Sequence, residues 1–158
     1  APRRAAPGRT VVLDGANLAF YYSEEVARIV GKPDFRGVRM AVDYCLARGW
    51  RPVVILHRRW TASPAWDTLS YESQKALQSL MDDPNHPLAL TPSGCDDDEF
   101  SINYAKTQNC PVITNDMYRD HLSKGTLPRD FVKRHRVTYT FSSFAFVPGT
   151  GAREWGLA

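Results

Sequence analysis

Cysteine is scarce: the 158 residues contain three, Cys45, Cys95 and Cys110. They are odd in number and widely spaced, so they frame neither a disulfide scaffold nor a zinc site. Reduced thiols and an intracellular compartment are the expectation. Long apolar runs are missing too. None approaches the roughly 18 residues of a membrane-spanning helix. Neither sign of charge dominates, the net charge being +3, so bulk electrostatics alone do not argue for a polyanionic partner. No repeat or low-complexity segment occurs. No glycine-rich phosphate loop follows the first apolar run either, because Gly15-Ala16-Asn17 lacks the further glycines. That argues against a nucleotide-binding fold.

What is present is an ordinary soluble composition, 43% hydrophobic and 23% charged, long enough for one domain with a sizeable core. Residues 1–9 lack an initiator Met and a hydrophobic signal segment. They read as a linker or a cut end, and their Arg-rich, acid-free character is like the tail of an organellar transit peptide. Whether the compartment is cytoplasm, nucleus or mitochondrion stays open. Residues 10–158 are expected to form the domain.

Short β-branched runs at Thr10–Leu13, Pro52–His57, Leu88–Thr91 and Pro111–Thr114 read as buried strands. Between them lie helical patterns. Val38, Ala41, Val42, Cys45 and Leu46 fall on one face, with Gly49 placed to cap the end. Arg39 and Asp43 can pair on the wet face. Leu69, Ala76, Leu77, Leu80 and Met81 line a second helix. A third is expected after an Asp96 or Asp97 cap, a fourth over Asp116–Lys124, and a short one from Pro128. Residues 19–33 suggest a short helix broken by Gly31-Lys32-Pro33. Val137, Tyr139 and Phe141, then Phe144 and Phe146, alternate about Ser142-Ser143 as one or two closing strands. The βα alternation predicts an α/β fold, a mostly parallel sheet with helices on both faces.

In such a sheet the ends of the strands converge on one crevice. Three of the four strand-to-helix junctions deliver carboxylates there: Asp14, the pair Asp97-Asp98, and Asp116. Each has a bland reading alone, as a helix cap or an acidic first turn. Together they are more specific, because folding has no reason to gather like charges. An oxygen-rich, nitrogen-poor group suits Mg²⁺ or Mn²⁺. A metal held there would activate water against a phosphodiester, which makes a nuclease the leading reading. Asn17 and Asn115 are either amide donors to that shell or turn residues, while Arg119 and Asp120 are either phosphate contact and outer support or a simple ion pair. Arg36, Arg39, Arg58, Arg59, Arg119, Lys133, Arg134 and Arg136 are candidate phosphate contacts, Arg58-Arg59 foremost because they end a strand. Tyr21, Tyr22 and Trp60 are candidates for base stacking or for plain packing.

Leu13-Asp14-Gly15-Ala16-Asn17, Phe35-Arg36-Gly37-Val38, Cys95-Asp96-Asp97-Asp98-Glu99-Phe100 and Thr114-Asn115-Asp116-Met117-Tyr118-Arg119-Asp120 resemble the NYN/PIN-like ribonuclease domain of the Regnase (CCCH zinc-finger) endoribonucleases. The likeness covers nearly the whole chain. It implies a PIN-like (Rossmann-like) three-layer sandwich. It also implies catalytic, metal-holding carboxylates at Asp14, Asp97, Asp98 and Asp116 around Mg²⁺ (or Mn²⁺), supported by Asn17, Asn115 and Asp120. The implied substrate is single-stranded or loop RNA. The chain would be part of a longer protein, and a homodimer is compatible with it. Thr91-Pro92-Ser93-Gly94 and Arg119-Asp120-His121-Leu122 also resemble the metallonuclease domain of protein-only RNase P, which processes precursor tRNA; the zinc ligands expected near that domain's end are missing. A catalytically idle RNA-binding or assembly module is the remaining alternative.

Overall fold

A computed structural model describes residues 9–125, 127–142 and 144–158. Residues 1–8, most of the expected linker, lie outside the described residues, as does Ser143 of the expected turn. Strand β1 (Thr10–Asp14) is followed by helix α1 (Gly15–Tyr22), which runs into a π-helical turn at Ser23–Ala27. Then come α2 (Arg36–Ala47), β2 (Arg51–His57), α3 (Tyr71–Met81) and β3 (Leu88–Thr91). The second half holds α4 (Asp97–Gln108), β4 (Val112–Ile113), α5 (Arg119–Ser123), α6 (Arg129–His135) and β5 (Arg136–Val137). A hairpin of β6 (Tyr139–Ser142) and β7 (Ala145–Pro148) and a short α7 (Ala152–Trp155) close the chain.

The five-stranded sheet has the order β3-β2-β1-β4-β5, with every pair parallel. Central β1 is covered on both faces, so it alternates between two cores rather than between core and water. Val11 and Leu13 pack with Leu18, Phe35, Val38, Val42 and Leu77 from α1 to α3. Val12 packs on the other side with Ile102, Ala105 and Phe131 of α4 and α6. This is the three-layer α/β architecture that the resemblance implied. Gly15 is required at the turn out of β1, where a Cβ would stand 2.8 Å from the Ile55 carbonyl oxygen.

Several boundaries differ from the sequence expectation. The first helix starts at Gly15, because the Asp14 side chain caps it by accepting from the Asn17 N–H at 3.2 Å. The expected Asp116–Lys124 helix shrinks to α5, since Asp116 Oδ1 instead accepts from the Tyr118 N–H at 2.7 Å and Tyr118 takes a left-handed backbone. The closing strands split. Only β5 joins the sheet, while β6 and β7 form a separate antiparallel hairpin. The side chain of Asn115 stands where a further strand residue would pair, bonding both the N–H and the C=O of Tyr139 at 3.0 Å. Phe141 and Phe146 then lay the hairpin on Tyr22 of α1 and Tyr44 of α2, with ring centroids 5.1 and 5.2 Å apart.

Candidate active site

The strand order reverses at β1: the chain moves from β1 outward through β2 and β3, then crosses to β4 on the other side. The crevice at the carboxyl ends of β1 and β4 is therefore where an open α/β sheet places its ligand. Asp14 ends β1, Asp116 follows β4, and Asp98 enters on the first turn of α4 from the β3–β4 crossover. Asp98 and Asp116 together line two adjoining cavities. One, of ≈ 250 Å³, continues over Met117, Tyr118, Arg119, Asp120 and His121. The other, of ≈ 350 Å³, contains Asp14, Ala16, Asn17, Phe20, Tyr21 and Glu24.

The carboxylates are held by short polar links rather than by cations. Asp14 Oδ2 accepts from the Thr114 hydroxyl at 2.9 Å, and that hydroxyl accepts in turn from the Asp116 N–H at 3.0 Å. Asn17 Oδ1 accepts from the Asn115 N–H at 3.0 Å and from the Tyr139 hydroxyl at 2.6 Å. The two asparagines thus tie the β1 and β4 turns together. The Oδ1 of Asn17 is engaged, and its amide NH₂ remains on a cavity-lining residue. Among the described residues, no arginine or lysine forms an ion pair with Asp14, Asp98 or Asp116.

Electrostatics follow from that lack. Burial pushes the Asp14 carboxyl up to about 7, with Asp98 and Asp116 adding repulsion, although the Asn17 N–H and Thr114 hydroxyl oppose it. Burial raises Asp98 to about 6, helped by Asp116 and Asp96. Like charges desolvated together strongly favour a proton or a cation. An oxygen-rich donor set of this kind fits a hard divalent ion. On its outer side, Asp98 also meets Asp96 and His121, whose ligand atoms all lie within 4.8 Å of one another.

The other candidates are placed unevenly. The Asp97 carboxylate takes a short hydrogen bond from the Thr91 hydroxyl at the end of β3, so it reaches Asp98 by charge while Asp98 faces the cavities. Asp120 and Arg119 line the smaller cavity. Arg136 donates to the Asn115 carbonyl at 3.0 Å, behind the Asp116 turn. Arg58 and Arg59 are exposed at the carboxyl end of β2, with Arg59 over the Trp60 ring at 4.9 Å. Arg36 is held by Asp34 at 2.7 Å, and Arg39 by Asp43 and Asp83 at 2.6 and 2.8 Å. Lys133 and Arg134 are exposed on the last turn of α6, at the amino end of the sheet and away from the crevice. Of the aromatic candidates, Tyr22 and Trp60 are buried in the core, whereas Tyr21 lines the larger cavity.

Sequence reasoning missed four contributors to the site: Thr114, Tyr118, Tyr139 and His121. Tyr118 is 2% exposed at φ 52°, and its hydroxyl has no hydrogen-bond partner among the described residues. Burial raises its pKa, and the charges of Asp14, Asp98 and Asp116 raise it further. A non-glycine residue in the left-handed region beside a cluster of carboxylates is the kind of strain that collects at functional sites.

Known proteins resemble this chain in sequence and fold. The chain is 25% identical over 144 residues to "Proteinaceous RNase P 3" of Arabidopsis thaliana, covering 82% of this chain and 22% of that protein. It is 26% identical over 149 residues to "Endoribonuclease rege-1" of Caenorhabditis elegans, covering 89% of this chain and 22% of that protein. The chain therefore spans less than a quarter of the length of these relatives. The crystal structure of nuclear proteinaceous RNase P 2 from A. thaliana superposes with a TM-score of 0.60 at 23% identity, over 89% of this chain and 29% of that one, and shows the same fold. Residues 7–153 match the family described as the Zc3h12a-like Ribonuclease NYN domain, and the chain belongs to that family.

Proposed function

We propose that this domain is a divalent-metal-dependent endoribonuclease that hydrolyses phosphodiester bonds in single-stranded or loop RNA, within a longer protein. The observation that carries this reading is the convergence of Asp14, Asp98 and Asp116 at the β1/β4 crevice, where among the described residues no arginine or lysine forms an ion pair with them. Asp14, Asp98 and Asp116 would hold Mg²⁺ or Mn²⁺, with Asp97 behind Asp98. Bound there, the ion supplies Lewis-acid polarisation of the phosphate and eases ionisation of water. Asp14 would hold the ion as its carboxylate. Thr114 and Asn17 keep its carboxylate aimed, Asn115 and Arg136 fix the Asp116 turn, and Asp120 supports from the first turn of α5. Arg119 reaches the cavity as a phosphate contact, with Arg58 and Arg59 at the neighbouring strand end. Three free thiols are in keeping with a reducing, intracellular setting.

RNase P-like trimming of precursor tRNA is the second reading, supported by relatives named as proteinaceous RNase P. Incubating labelled single-stranded RNA and precursor tRNA with Mg²⁺, Mn²⁺ or EDTA separates the readings. Metal-dependent cuts in loops support the first, and a single cut releasing the leader supports the second. Binding without cleavage overturns both. Asp116→Asn is expected to lower cleavage by more than the roughly 10–100-fold seen on losing an outer support, with folding and RNA binding kept. Retained cleavage by this variant counts against the site.

A further inference from the structure

Asn17, Phe20, Tyr21 and Glu24 stand at i, i+3, i+4 and i+7 along α1 and the π-helical turn that follows it. Residues at that spacing share one helix face. All four line the larger cavity together with Asp14, Asp98 and Asp116. The π-helical turn is itself a device that recurs at functional sites. The two cavities differ in chemistry on either side of the shared Asp98–Asp116 pair. One side offers Arg119 and His121 beside Asp120, while the other offers two aromatic rings, an amide and two carboxylates, Asp14 and Glu24, with no basic side chain. A phosphate is repelled by Glu24 and Asp14, whereas a flat neutral ring with N–H donors on its edge suits this second side.

We propose that this second cavity is a subsite for one unpaired nucleobase, the base next to the scissile phosphate on the α1 side. The inference rests on the ribonuclease reading above. Phe20 and Tyr21 offer ring faces and edges for stacking, which is how single-stranded RNA is commonly gripped. Tyr21 is steadied by its hydroxyl contact to Thr140 at 3.3 Å and by an edge-on contact to Tyr139 at 5.2 Å. Phe20 is steadied edge-on against Trp60 at 6.1 Å. Glu24, exposed, accepts hydrogen bonds only, so it meets the amino or imino hydrogens of the base. The amide NH₂ of Asn17 donates to a ring nitrogen or carbonyl, because its Oδ1 already serves Asn115 and Tyr139. The volume of ≈ 350 Å³ lies at the lower end of the ~300–1,000 Å³ typical of small-ligand sites, as befits a single ring system. Such a site requires its base to be unpaired, and so would select loops over duplex without any contact to the rest of the RNA.

The test uses short RNAs carrying one cleavable linkage, with an abasic residue on one side of it or the other. Kd is measured in EDTA and KM with Mn²⁺. Removing the base on one side is expected to weaken Kd and KM by about 5–100-fold, the range of one base–aromatic stack, and removing the other base by less than about threefold. Phe20→Leu should reproduce the loss on intact RNA and add little on the sensitive abasic RNA. A 2-aminopurine placed at that position should be quenched on binding and less so with Phe20→Leu. Equal or absent effects of the two abasic residues, or losses from Phe20→Leu and the abasic site that simply add, overturn the subsite. The abasic comparison uses the unaltered protein, so a poorly folded variant does not obscure it. Cleavage with no base effect removes the subsite alone; binding with the one-sided effect but no cleavage removes the ribonuclease reading and keeps the subsite.

Discussion

Asp14 and Asp83 are both buried aspartates, at 7% and 9% exposure, and the protein treats them in opposite ways. Burial alone would raise Asp83, but the Asn85 N–H at 2.8 Å, the Arg39 guanidinium at 2.8 Å and the Asn85 amide at 2.9 Å outweigh it, so its carboxyl sits below the usual range. Asp34, more deeply buried still, is gripped by Arg36. Burial raises the Asp14 carboxyl to about 7, with Asp98 and Asp116 adding repulsion and, among the described residues, no ion-paired arginine to offset it. The α2 side of the molecule thus shows what this chain does with buried acids when only stability is at stake. The carboxyl edge of the sheet departs from that pattern, and the departure coincides with the candidate site. Arg36 and Arg39 are already engaged by acids of their own region.

The contrast can be broken most strongly at Asp14. In metal-free protein the folded state keeps the Asp14 proton between pH 3.8 and about 7, where the unfolded chain has lost it. Stability is therefore expected to fall as pH rises through that window and to level off above it, by up to about 4 kcal/mol for a shift of this size. Asp14→Asn should remove most of that slope and raise metal-free stability near pH 8 by on the order of 2 kcal/mol, while Mn²⁺ binding is lost. Urea unfolding across pH with EDTA, and calorimetric titration with Mn²⁺, check both halves. A wild-type profile that rises toward pH 7 would contradict the unpaired Asp14.

On the paired side, Arg39→Ala strands Asp83 and should cost about 1–3 kcal/mol, read as a lower urea midpoint. RNA affinity measured well below the melting temperature then tells whether Arg39 also serves phosphate. Tyr118→Phe is the mildest change. Its hydroxyl has no partner among the described residues, so metal-free stability should stay level or rise by less than about 1 kcal/mol. A clear loss of stability in a thermal melt would mean that the hydroxyl is satisfied in solution.

Much of the fold was legible because its signals are local. The runs Val11-Val12-Leu13 and Val53-Val54-Ile55-Leu56 read as covered strands, and Gly49 stands just past the end of α2 in left-handed backbone. The hairpin was not legible as such. The alternation from Val137 to Phe146 specifies strand but not partner, and the side chain of Asn115 diverts the chain from the sheet. At the candidate site, the meeting of Asp14, Asp98 and Asp116 at one cavity was readable from their positions between strands and helices. The turning of Asp97 toward Thr91 depends on how the β3–α4 loop folds back, and the use of Asn17 and Asn115 as links between turns depends on partners far away in the chain. The Asn17-Phe20-Tyr21-Glu24 stripe was readable in principle from its i, i+3, i+4, i+7 spacing, but Gly15 and Asn17 suggested a turn where the helix had already begun.

By itself the sequence determined the alternation of strands and helices and the presence of an acid after three of four strands, because β-branched runs, caps and turn residues act over a few positions. Only the tertiary structure decided that β1 lies between β2 and β4, and hence that Asp14 meets Thr114 a hundred residues away. The charge on a carboxylate depends on what surrounds it in space. Local propensity carries no information about which buried aspartate receives an arginine and which is left facing its own kind.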